Sequence, residues 1–168
     1  ATLIRESKLP REAIPTQFLN ERVVWEALLH SGMPLTALLR NLASMTRIGL
    51  FEDREALGVA LDRLTDESAL RKARVHPVAV LSALKTYESG RGVRGQHTWK
   101  AIGKLVDALD SAFYKSFDNV EPTGKRYVLA LDVSGSMGMG MIGGVPGLTP
   151  RDASAAMALV TAKTESDY

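Results

Sequence analysis

The sequence predicts an array of α-helical, HEAT-like repeats followed by the beginning of an α/β, Rossmann-like domain. Three observations carry that expectation. Apolar residues recur at three- and four-residue spacing through the first two thirds of the 168-residue chain, broken by glycine and proline. Two similar phrases, MPLTALLRNL and HPVAVLSAL, open on Pro34 and Pro77, 43 residues apart, an interval in the range of two-helix repeats. At VEPTGKR the pattern changes to a short β-rich apolar run, then a glycine-rich loop, then a capped helix.

The elements follow in order. Asn20 is the expected N-cap of ERVVWEALLH, with Gly32 just past its end. Pro34 suits a first helical turn, after which Leu35, Leu38, Leu39, Leu42 and Met45 form one stripe. Asp53 caps REALGVALDRL, whose Leu57, Ala60, Leu61 and Leu64 share a face. Pro77 opens a helix with Val78, Leu81 and Leu84 on one side and Gly90 as its stop. ESGRGVRGQHTW has no apolar period and reads as a loop. Thr98 is the expected cap of a last long helix carrying Ile102, Leu105, Val106, Leu109 and Phe113 to Phe117. Each stripe buries only one side, so the helices must pack on neighbours.

Pro122 and Gly124 mark a turn, and RYVLALDV then reads as a strand buried on both faces, as in a parallel sheet. Thr149, Pro150 and Asp152 make a strong helix start for ASAAMALVTAKT. One strand and one helix cannot complete an α/β layer, so this part reads as truncated. The expected division is 1–119 for the helical part and 120–168 for the start of the second domain.

Formal charge is only +2, but it is unevenly spread. Residues 71–104 hold Arg71, Lys72, Arg74, Lys85, Arg91, Arg94, Lys100 and Lys104 against Glu88 alone, a net of +7. Such a cluster attracts polyanions by counterion release; the plainer reading is a solvated helix face and loop. Tyr87, His97 and Trp99 lie among these cations, as base stacking would need. Trp99, placed after a helix cap, fits the core better than a stacking platform. The chain has no cysteine, which excludes a disulfide scaffold, a thiolate zinc site and a thiol nucleophile, and suits the cytoplasm. No apolar run approaches eighteen residues and no signal-peptide core precedes the first helix, so neither a membrane span nor secretion is expected.

Asp132-Val133-Ser134-Gly135-Ser136, at the carboxyl end of the expected strand, carries the most chemical information. Alternate residues Asp132, Ser134 and Ser136 can turn three hard oxygens to one point, suiting Mg²⁺ or Mn²⁺ with an open position for a partner's acidic group. Other readings stay open. Gly138, Gly140 and Gly143 match a dinucleotide fingerprint but begin five residues late. Asp132 could serve as a phosphoryl-transfer nucleophile, though Ser134 stands where a second acid is usual. The turn could also hold no ion at all. A phosphate loop fails, because no lysine follows these glycines until Lys163.

DxSxS after an apolar strand looks like the first metal-binding segment of a von Willebrand factor A domain. PLTALLRNLASMT, KARVHPV, ALKTYESGRGVRG and ALDSAFYKSFDNVEPTGKRYVLALDVSGSM resemble the Ro autoantigen (SS-A, TROVE-module) family over roughly residues 20–168. That resemblance implies part of a HEAT-like ring joined to the start of a von Willebrand A domain. It implies binding of small noncoding Y RNA and of single-stranded ends of misfolded RNA, an exoribonuclease as partner, and no catalysis. By position it implies Asp132, Ser134 and Ser136 as divalent-cation ligands, the further ligands lying beyond Tyr168. Arg71, Lys72, Arg74, His76, Arg91, Arg94 and Lys100 are the RNA contacts to expect. The rival from another class is a von Willebrand A adhesion or assembly module that reaches protein partners through its cation. The loop 137–148, rich in glycine and methionine, departs from the family pattern, and its small side chains predict mobility.

Overall fold

The computed structural model describes residues 1–92 and 97–168. Its helices are α1 (Thr2–Ser7), α2 (Arg22–His30), α3 (Leu35–Arg47), α4 (Arg54–Thr65), α5 (Glu67–Lys72), α6 (Pro77–Glu88), α7 (Gly103–Lys115) and α8 (Pro150–Thr164), joined by short 3-10 turns. Side-chain caps set several of the starts. Asp53 accepts from the Glu55 N–H at 2.8 Å to open α4, and Asp66 accepts from the Ala69 N–H at 3.1 Å to open α5. His76 takes the same role for α6, its Nδ1 accepting from the Val78 N–H at 3.2 Å. At α8, Thr149 and Asp152 form a full capping box, with Pro150 in the first turn.

The helical stripes meet in one core. Leu38, Leu42 and Met45 of α3, Ala60 and Leu64 of α4, Val80 of α6, and Leu105, Leu109 and Ala112 of α7 are all nearly inaccessible to solvent. Burial of such side chains stabilises by about 1.5–3 kcal/mol each for the larger ones. α7 lies against both α4 and α6, and α3 lies beside α6. The two helices announced by Pro34 and Pro77 are therefore neighbours, as stacked repeats require. Residues of the C-terminal segment join the same core through Leu148 and Val160. The link is tightened by Glu165, whose carboxylate accepts the Thr123 and Gly124 N–H groups at 2.8 and 3.1 Å. Arg126 and Asp167 pair at 2.7 Å beside it.

Three expectations change. Asn20 closes a 3-10 turn, and Glu21 is the residue before α2; the Asn20 amide oxygen instead takes a weak bond from Arg47 at 3.5 Å. Thr98 does not cap α7, which starts five residues later at Gly103. Its backbone forms an antiparallel bridge with Arg91, and Trp99 anchors that stretch against Tyr87, so the loop continues past the apparent cap. The run 126–133 forms no ladder, and the described residues contain no strand. Its Val128 and Val133 are 91% and 80% exposed. A strand is held by hydrogen bonds from its neighbours; here the Tyr127 N–H finds the Asp167 carbonyl at 3.1 Å, and no ladder partner flanks the run among the described residues. None of the described helices is long and apolar enough to cross a membrane.

Candidate nucleic-acid interface and metal centre

The expected RNA contacts fall at the two ends of α6. Arg71 and Lys72 end α5, and Arg74 and His76 lie on the turn that leads from it into α6, all exposed. Arg91 and Lys100 lie past its end, also exposed. Arg94 is outside the described residues. Twelve residues of helix span about 18 Å, so the basic segment resolves into two patches rather than one.

Within the first patch the side chains differ in freedom. Arg71 is engaged by Asp118 at 3.2 Å, although both remain largely exposed. Arg74 adopts a left-handed backbone, φ 48°, as the chain turns from α5 into α6. His76 spends Nδ1 on the α6 cap, which leaves its proton on Nε2, the nitrogen available as a donor. In the second patch, Ser89 Oγ accepts the Arg91 N–H at 3.4 Å and the Arg91–Thr98 bridge closes the base of the loop. Trp99 is half-buried: its ring stacks on Tyr87 with centroids 6.3 Å apart, and its Nε1 donates to the Tyr87 carbonyl at 2.9 Å.

The DVSGS turn gathers the three predicted oxygens. Asp132 Oδ1 accepts the Ser134 N–H at 2.8 Å, and the Ser134 and Ser136 hydroxyls lie 3.0 Å apart. All three residues face solvent. The Ser134 backbone bond, aided by its hydroxyl, holds the Asp132 carboxyl below the usual carboxylate range. One carboxylate and two hydroxyls are hard donors that fit Mg²⁺ or Mn²⁺. Among the described residues no set of three or more His, Cys, Asp or Glu side chains could hold a metal by itself. Asp152, the next acid after the turn along the chain, is committed to its capping box, where the Thr149 hydroxyl lowers its pKa. Sequence reasoning missed Arg151, whose guanidinium donates to the Ser134 carbonyl at 3.4 Å from the first turn of α8. Seventeen residues separate them, and nothing local marks the contact.

The structure is a repeat-type helical scaffold with exposed cations, continued by a solvent-facing DxSxS turn whose sequence resembles a von Willebrand A-type segment. The TROVE domain model matches residues 5–86, and the Ro60 vWA domain model matches residues 126–168. The chain belongs to the Ro family. It is 46% identical over 169 residues to the RNA-binding protein RO60 of Deinococcus radiodurans, covering 99% of this chain and 32% of that protein. It is 44% identical over 164 residues to the RNA-binding protein RO60 of Caenorhabditis elegans, covering 98% and 25%. The crystal structure of the Deinococcus radiodurans RO (RSR) protein superposes with a TM-score of 0.90 at 45% identity, covering 99% of this chain and 34% of that one. The chain thus spans a quarter to a third of the length of these relatives.

Proposed function

We propose that this protein binds small structured noncoding RNA of the Y type, and the single-stranded ends of misfolded RNA, as a ribonucleoprotein component of cytoplasmic RNA quality control. The observation that carries the reading is the concentration of exposed cations at both ends of α6 in a chain whose close relatives are named RNA-binding proteins. Cations on turns reach phosphates without disturbing the core, and the resulting affinity is electrostatic. The protein acts as a binder and not as a catalyst, with an exoribonuclease as the partner that processes the bound RNA. The relatives' names favour this reading over an adhesion module.

The DVSGS turn is proposed as part of a divalent-cation site, with Asp132, Ser134 and Ser136 as ligands. When bound, the ion would offer an open coordination position to an acidic group of a partner. Isothermal titration with Mn²⁺ or Mg²⁺ tests it: the full protein is expected to bind, and Asp132→Ala to lose that binding. Equal binding by both proteins would refute the ligand assignment. For RNA, electrophoretic or anisotropy titration at rising salt is expected to show steep weakening, and neutralising Arg91 and Lys100 is expected to weaken binding at every salt concentration.

A further inference from the structure

Lys100 borders a pocket that no sequence motif announces. Across about 440 Å³, Arg47, Phe51 and Glu52 from the end of α3 and the turn after it face Trp99, Lys100 and Ile102. Its apolar wall is fixed by packing. Trp99 cannot swing, because its ring lies on Tyr87 and its Nε1 is tied to the Tyr87 carbonyl at 2.9 Å. Tyr87 is itself anchored: its hydroxyl lies 2.9 Å from Thr46 Oγ1 and accepts the Ile102 N–H at 3.3 Å. An aromatic surface immobilised in the free protein loses little entropy when a second ring stacks on it. Phe51, 5% exposed, closes the floor.

The polar groups sit around this wall. Arg47 and Lys100 are exposed at the rim, where Arg47 makes a long 3.5 Å bond to Asn20. Glu52 folds back over Gly49, where a Cβ would meet its carboxylate at 3.2 Å; Gly49 also has φ +75°, so glycine serves both needs. An aromatic wall, two cations and one carboxylate acceptor match a planar ligand that carries an amino group and a phosphate.

We propose that this pocket is a nucleotide subsite for single-stranded RNA. A base stacks on Trp99, its phosphate lies between Arg47 and Lys100, and Glu52 accepts an exocyclic amino group such as that of adenine. The volume lies within the range of small-ligand sites. The inference rests on the RNA-binding reading but names a place for one nucleotide that the surface patches do not define.

Fluorescence anisotropy of a labelled six-nucleotide oligoadenylate, with AMP and ribose 5-phosphate as competitors, tests it on the full protein. Oligoadenylate is expected to bind, AMP to compete more weakly than unlabelled oligoadenylate, and ribose 5-phosphate not to compete. Trp99→Ala is expected to weaken binding roughly 10- to 100-fold, the range of one lost stacking contact. Arg47→Ala, at an exposed side chain that leaves the Trp99–Tyr87 packing intact, is expected to weaken it several-fold. Competition by AMP as strong as by the oligomer would identify a free-nucleotide site and overturn the RNA assignment. Oligoadenylate binding untouched by Arg47→Ala and Trp99→Ala, while structured RNA still binds with a steep salt dependence, would overturn the subsite and leave the wider reading standing. Failure of structured RNA to bind at all would remove both.

Discussion

Two carboxylates in the C-terminal segment, Asp152 and Glu165, work through hydrogen bonds to backbone N–H groups, at the Thr149 cap and at the Thr123–Gly124 turn. Asp152 accepts the Thr149 N–H at 3.2 Å and its hydroxyl at 2.7 Å, and the Thr149 hydroxyl accepts the Asp152 N–H at 3.1 Å. Thr149→Ala breaks that reciprocal cap and is expected to lower stability by about 0.5–2 kcal/mol in urea unfolding. Glu165 holds the turn at Thr123 and Gly124, and the Thr123 N–H is the largest cause of its lowered pKa. Because both folded pKa values lie below those of the unfolded chain, both contributions are complete above the ordinary carboxylate range, near pH 4–4.5. They are lost as pH falls through the lowered folded values. Thermal unfolding followed from pH 7 to pH 3 should therefore be flat at first and fall on the acid side. Glu165→Gln should show a shallower acid fall than the parent protein; an identical profile would contradict the linkage.

At the scale of elements, local chemistry was legible where a side chain acts on its own neighbours. Asp53 and Thr149 cap the helices they were expected to cap, and Pro77 opens α6. The Leu38, Leu42 and Met45 stripe is buried as its spacing requires. Legibility failed where a distant partner decides. Thr98 has the right chemistry for a cap, but the Trp99–Tyr87 packing keeps the backbone out of the helix until Gly103. The oxygens of the DVSGS turn were readable from alternate spacing, whereas Arg151 reaches the Ser134 carbonyl from a separate helix. Likewise the pocket between Arg47 and Lys100 joins residues far apart in sequence. The run 126–133 has strand composition, but composition supplies no hydrogen-bonding neighbour. Since Val128 and Val133 are almost fully exposed, Val128→Thr and Val133→Thr in this chain should each change stability by no more than about 0.5 kcal/mol. A loss above about 1 kcal/mol in denaturant unfolding would show that the run is packed.

For the molecule as a whole, a total charge of +2 conceals the property that matters. Folding divides the basic segment into two exposed patches flanking α6, and pairs Arg71 with Asp118 while Lys72, Arg74, Arg91 and Lys100 remain exposed. An exposed pair such as Arg71–Asp118 contributes little to stability, so Asp118→Asn should leave folding nearly unchanged while freeing Arg71 to strengthen RNA binding modestly. The most direct test of the central claim is RNA affinity measured across salt for the parent protein and for Lys72→Gln/Arg74→Gln and Arg91→Gln/Lys100→Gln. Each double variant is expected to bind more weakly, with the slope of log affinity against log salt shallower by about one to two. Affinity and slope unchanged in both variants would contradict that claim.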